Sequence, residues 1–261
     1  MRESSQLVRI ERHRVEGELV VLTFNGTDEG GVNAEAVGGR PLVFVQHGLG
    51  SRKERHLDLC LRLTEAGFMA CSLDARHHGD RATEKMRRCL SDVNSRKFLL
   101  AFAETVQGTV HDITAAATYF GARSYGLIGH SMGGFIALQT TMADPRVSVV
   151  VSIAGALTLA PPEGIEFPPM VAEAIRRNDP AERAAEFWPR PVLLLHGVED
   201  KTVPCLGSVL LKDALTLHYA TEPERLALVT YPGIGHELSP GMASAAVDWV
   251  RRFHSSGNEA E

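Results

Sequence analysis

The sequence predicts an α/β fold, a mostly parallel eight-stranded sheet with an N-terminal antiparallel hairpin and helices on both faces. Three observations carry this expectation. Short apolar runs at Leu42–Val45, Phe68–Leu73, Tyr125–Ile128, Val147–Ile153, Val192–Leu195 and Leu226–Thr230 are almost free of polar residues. Strands buried on both faces read this way. Stretches of helical character separate the runs, and such alternation implies a parallel sheet wound by right-handed crossovers. Ahead of them, Leu7 to Asn25 alternates apolar and charged residues around Glu16-Gly17, the signature of a hairpin with one wet face.

In chain order, the hairpin leads into a Gly-rich stretch, Gly26 to Arg40, that reads as a surface loop. Helices are expected at about Glu54–Ala66, Val106–Phe120, Met132–Ala143, Gly207–Ala220 and Pro240–Phe253. Two segments break the rhythm. Gly79 to Glu104 is rich in Lys and Arg, and Leu157 to Arg190 holds Pro161, Pro162, Pro168 and Pro169. Both leave strand C-termini, where open α/β sheets place ligands, so both read as lid-like inserts of a single domain spanning 1–261.

Composition excludes several classes. With 44% hydrophobic and 23% charged residues the chain is ordinary for a soluble globular protein. A net charge of -5 argues against a nucleic-acid partner, which demands clustered cations. No apolar run reaches the roughly 18 residues of a membrane span, and the first residues lack a signal-peptide core. Cys60, Cys71, Cys89 and Cys205 show no metal-ligand spacing. Cys60 and Cys71 lie in apolar segments as small buried side chains. These features point to a reducing cytoplasm, and nothing in them requires a metal or other cofactor.

The strongest local signal is Gly129-His130-Ser131-Met132-Gly133. By composition alone such a G-x-S-x-G string arises in about one chain in ten of this length, so its setting decides. It follows an apolar strand and opens an apolar helix, the strand–turn–helix context of a nucleophile elbow. Flanking glycines allow the close approach of strand and helix, and Ser131 is left at the tip. A serine nucleophile needs a base, and the base needs an orienting carboxylate. Glu199 and Asp200 follow one strand, and His236 follows the last, giving the chain order Ser, acid, His. An oxyanion needs N–H donors. The backbone N–H of Met132, at a helix start, and that of Leu49, in the loop His47-Gly48-Leu49-Gly50, are the candidates. Gly48 would let that loop fold back over the nucleophile.

These residues resemble the alpha/beta-hydrolase superfamily over about Pro41 to Phe253. The likeness rests on His47-Gly48-Leu49-Gly50, Asp74-Ala75-Arg76-His77-His78-Gly79, Gly129 to Gly134, His196-Gly197-Val198-Glu199-Asp200 and Gly235-His236. The resemblance implies that Asp200, not Glu199, is the acid. The finer likeness is to small bacterial serine carboxylesterases of the dienelactone-hydrolase-like and prolyl-oligopeptidase-like branches. Dienelactone hydrolases proper carry a cysteine nucleophile, so Ser131 points to a serine esterase acting on a small-molecule ester with a small or medium acyl group. A thioesterase, a lactonase, another acyl-bond hydrolase or a non-catalytic receptor are the rivals.

Relatives often show D-x-R-G-H-G, and here His77 replaces the glycine. His78 is expected to close the loop structurally, with no metal among His77, His78, Asp74 and Asp80. His111-Asp112 is expected at a helix start as dipole compensation. Substrate-pocket candidates are His47, His130, Phe167, Met170 and Trp188. The basic insert reads either as a solvated lid helix or as a bias toward anionic substrates.

Overall fold

In the computed structural model, residues 7–17, 19–27, 40–92, 95–156, 173 and 177–254 are described. Their strands form one eight-stranded sheet. In chain order these are β1 (Leu7–Arg14), β2 (Val20–Thr27), β3 (Leu42–Gln46), β4 (Met69–Leu73), β5 (Tyr125–His130), β6 (Val147–Ile153), β7 (Val192–Gly197) and β8 (Leu226–Tyr231). Their spatial order is β1-β2-β4-β3-β5-β6-β7-β8. The hairpin β1–β2 joins β4 antiparallel, and every pairing from β4 through β8 is parallel.

Period-two alternation of the strand side chains builds two cores. Leu42, Phe44, Tyr125, Leu127, Val192 and Leu194 face one side. Val43, Val45, Ile128, Leu193 and Leu195 face the other. Each such buried aliphatic side chain contributes about 1.5–3 kcal/mol over its exposed state. The helices are α1 (Leu57–Glu65), α2 (Glu84–Cys89), α3 (Arg96–Tyr119), α4 (Met132–Ala143), α5 (Leu206–Thr216) and α6 (Pro240–Phe253). Residues of α1 and α6 cover the second core, and residues of α3, α4 and α5 cover the first.

Two differences from the sequence reading concern the first insert. Helix α3 starts at Arg96, well before Val106, with the Ser95 hydroxyl accepting from Phe98 N–H at its N-terminus. The basic residues there concealed a helix whose inner face is Phe98, Ala101 and Thr105. His111 and Asp112 consequently lie inside the helix, not at its start. Asp112 accepts hydrogen bonds from Arg76 and Arg81, at 3.0–3.1 and 2.7 Å. Arg87 and Arg88 pair with Glu84 on the same short helix. Several of the insert's cations are therefore spent on local partners.

Asp74, at the end of β4, is a second organiser. Its carboxylate accepts from Lys53 N–H, from Lys53 Nζ and from Asp80 N–H, each within 2.9 Å. Gly79, at φ +53, passes so close that a Cβ there would fall 2.0 Å from Asp74 Oδ1. His78 is buried and its Nδ1 donates to the Arg76 carbonyl at 2.8 Å. His77 instead contacts Glu104 and Thr83. His77 and His78 thus turn to separate partners, while the Asp74 and Asp80 carboxylates share the Lys53 ammonium, each at 2.8 Å. Among the described residues no group of three metal-ligating side chains converges. Nor is any of their helices long and apolar enough to cross a membrane.

Candidate active site

The turn between β5 and α4 is built from sterics. A Cβ on Gly129 would lie 2.0 Å from Gly133 O, and one on Gly133 would lie 2.2 Å from Gln46 O. Both contacts are with backbone, which cannot yield, so both positions must be glycine. Ser131 between them has φ 58 and ψ -124, a strained conformation for a residue with a side chain. Its N–H donates to Ile153 O at 2.8 Å and its carbonyl accepts from Phe135 N–H at 3.1 Å. Those two bonds hold the strain in place and raise Oγ above the sheet.

Two other strand ends reach Oγ. Ser131 Oγ lies 2.8 Å from His236 Nε2, in the loop after β8. His236 Nδ1 lies 2.7 Å from Asp200 Oδ2, in the loop after β7. The other Asp200 oxygen accepts the N–H groups of Thr202 and Val203, both at 2.9 Å. Burial alone would raise the Asp200 pKa, but the His236 hydrogen bond and the two backbone donors outweigh it and hold the carboxyl below its ordinary range. The carboxylate is therefore ionised at neutral pH, ready to stabilise an imidazolium. Glu199, its exposed neighbour, uses its backbone N–H on Ile234 O.

His196, which the sequence reading gave no role, supports the acid. Its ring is fully buried, with Nε2 donating to Val203 O at 2.8 Å and Nδ1 accepting from the Ser208 hydroxyl at 2.7 Å. It fixes the turn that presents Thr202 and Val203 N–H to Asp200. Its signal was its place in the His196-Gly197-Val198-Glu199-Asp200 motif, but its partners are remote in the chain.

Above Ser131, the β3–α1 loop folds back as Gly48 suggested: a Cβ on Gly48 would stand 3.1 Å from Ser131 Cβ. The N–H groups of Leu49 and Met132 have no acceptor among the described residues. Both are thus free donors on either side of the nucleophile. A cleft of about 310 Å³ opens beside His236, lined by Arg55, His56, His130, Glu237, Leu238 and Pro240 among others. His130 lies between His56, which it meets edge-on, and His236, which it meets at a tilt, with ring centroids 5.4 Å from each.

Two pocket candidates are placed elsewhere. His47 is buried beneath the loop, with both nitrogens committed to backbone groups, so it cannot touch substrate. Trp188 precedes β7 and packs edge-to-face on Tyr219 at 5.3 Å. That is the strand's N-terminal end, opposite the end that carries Asp200, and a strand of this length separates the two by roughly 17–20 Å. Phe167 and Met170 lie outside the described residues.

The parallel sheet with its antiparallel entry, the glycine-flanked serine at a strand–helix turn and a histidine and acid from later strand ends define an α/β hydrolase. Residues 39–177, more than half of the chain, match the family described as serine aminopeptidase, S33, and the chain belongs to that family. It is 27% identical over 236 residues to YitV of Bacillus subtilis (strain 168), covering 82% of this chain and 89% of that one. It is 26% identical over 228 residues to the esterase YjfP of Escherichia coli (strain K12), covering 81% and 88%. The crystal structure of TT1662 from Thermus thermophilus superposes with a TM-score of 0.73 at 27% identity, covering 94% of this chain and 98% of that one. The protein is thus an esterase-like α/β hydrolase.

The buried imidazoles make acid stability a measurable property of this architecture. Burial pushes His47 down to about 4, and burial aided by Arg55 and His47 does the same to His56. Burial, with His56 and His236 nearby, lowers His130 to about 3. His254, which bridges Ser148 and Leu42 O, is lowered by burial to about 4. In the unfolded chain these groups protonate near 6.5. The unfolded state therefore binds protons first, so stability is full above about pH 6.5 and is lost as pH falls toward 4. We expect Tm to fall by about 10 °C or more between pH 7 and 4.5. A Tm flat across that window would contradict neutral burial of these rings.

Proposed function

We propose that the protein hydrolyses carboxylic esters of small or medium acyl groups through an acyl-enzyme intermediate on Ser131. The observation that carries the reading is the unbroken hydrogen-bond chain from Asp200 through His236 to Ser131 Oγ. His236 Nε2 takes the hydroxyl proton as Oγ attacks the ester carbonyl, and Asp200 stabilises the imidazolium that results. The negative charge that develops on the carbonyl oxygen is received by Leu49 and Met132 N–H, the latter at the positive end of α4. His236 then protonates the departing alcohol. In the second half it activates a water that releases the acid and restores Ser131.

An ester is favoured as substrate because YjfP, alike over most of both chains, is named an esterase. The matched family's description names an aminopeptidase, so the test includes both bonds. Purified protein is assayed on p-nitrophenyl esters from acetate to dodecanoate and on aminoacyl p-nitroanilides. We expect ester turnover with an optimum at the short or medium chains. A fluorophosphonate probe should label Ser131, read by peptide mass. Turnover of anilides above esters would overturn the ester assignment, and labelling at another residue would overturn the nucleophile.

A further inference from the structure

We propose that His47 is a positioning residue, whose imidazole clamps the Gly48 carbonyl and thereby aims the Leu49 N–H at the oxyanion. The inference rests on the acyl-transfer reading above and names what keeps one of its two donors in register.

The tautomer follows from the neighbours. Ala75 N–H points at His47 Nε2 at 3.0 Å. A backbone N–H can only donate, so Nε2 carries the lone pair and the proton sits on Nδ1. Nδ1–H then donates to the Gly48 carbonyl at 2.8 Å. Asp74 Oδ1 is 3.9 Å from Nε2, too far to claim a proton there. Ser51 N–H approaches the Gly48 oxygen at 3.3 Å, a longer second bond.

The consequence comes from peptide planarity. The Gly48 C=O and the Leu49 N–H belong to one trans peptide and point in opposite directions. Pinning the oxygen onto the buried imidazole turns the N–H outward, on the side where Gly48 packs against Ser131. Leu49 N–H is left with no acceptor among the described residues, an arrangement that backbone donors otherwise avoid. Glycine at position 48 makes this peptide easy to rotate, so without the clamp its orientation rests on the longer Ser51 N–H bond alone. Because His47 is 1% exposed, it acts on the reaction through this peptide and not by contact with substrate.

Two substitutions separate the clamp from mere packing. In His47→Asn the amide Nδ2–H stands near the position of Nδ1 and can still donate to Gly48 O, while Ala75 N–H loses its acceptor. In His47→Gln the longer side chain keeps an acceptor for Ala75 and loses the reach to Gly48 O. The expected result on p-nitrophenyl acetate is a kcat about 10- to 100-fold lower in the Gln variant, below the loss for removing a donor outright. KM should stay within about two-fold. The Asn variant should retain kcat within about five-fold, whatever its Tm. Affinity for phenylboronic acid, which binds Ser131 Oγ as a fourth ligand of boron and places negative charge in the same hole, should weaken in step with kcat. Equal kcat losses in both variants, or an unchanged Gln variant, overturn the proposal.

If neither variant folds, long-range ¹H–¹⁵N spectra of the wild type still decide. An Nδ1–H tautomer supports the clamp, and an Nε2–H tautomer overturns it. The two readings fail differently. Absence of ester turnover with an Nδ1–H His47 removes the esterase assignment and keeps the clamp, whereas turnover with an Nε2–H His47 removes the clamp alone.

Discussion

Ser131→Ala is expected to lower kcat on p-nitrophenyl esters by about 10⁴- to 10⁶-fold, the range seen when a nucleophile acting within a triad is removed. The fold should tolerate the change. Among the described residues Oγ has one hydrogen-bond partner, His236 Nε2, and that nitrogen can turn to water in the open cleft. The strained backbone at φ 58 is equally strained with alanine, since both residues carry a Cβ. The loss is therefore chemical. Tm should remain within about 3 °C of the wild type, and fluorophosphonate labelling should vanish. Residual turnover would reflect Leu49 and Met132 N–H acting on a water-attacked carbonyl. Activity within ten-fold of the wild type would show that Oγ is not the attacking atom.

Much of this was legible before the fold was known, for a physical reason. Apart from the partly exposed edge strand β8, the parallel strands are buried on both faces, so their apolar runs stand out, and the ends of β5 and β6 fall close to where the runs end. The elbow was legible because both glycines flank the serine within one short string, although only Gly129 is required by the turn itself and Gly133 is required by the β3 backbone at Gln46. Helix α3 was half-hidden, since Arg96, Lys97 and Glu104 face solvent and masked the apolar stripe. Asp200 was separable from Glu199 by resemblance alone, because neither residue type nor spacing says which carboxylate turns inward. Pocket residues fared worst. Apolar and aromatic residues in a long segment carry no sign of which strand end they approach, and Trp188 went to the far one. The buried histidines show the limit most sharply. His47 pairs with Ala75, and His196 with Ser208. Such pairings depend on which loops meet above the sheet, and no local pattern records that.

The second large effect is expected from Asp200→Asn, a kcat lower by about 10⁴-fold with little change of fold. The substitution is isosteric, and its consequence follows from hydrogen bonding. Asp200 Oδ1 accepts from Thr202 and Val203 N–H, and a donor there would face two donors. Asparagine must therefore keep its oxygen on that side and present its NH₂ to His236 Nδ1. Nδ1 then has to accept, which moves the imidazole proton to Nε2. Nε2–H points at Ser131 Oγ and cannot take the proton that the attack must shed, so the base is disabled while every atom stays near its place. His236 also loses the charge that would stabilise its imidazolium. The measurement is kcat for p-nitrophenyl acetate, with near-ultraviolet circular dichroism to confirm packing and the rate of fluorophosphonate labelling as an independent report on Ser131. Both rates should fall together, since both need the same deprotonation. A variant within ten-fold of the wild type would mean that another carboxylate orients His236, and Glu199→Gln in the same background would then identify whether the exposed neighbour had taken the role.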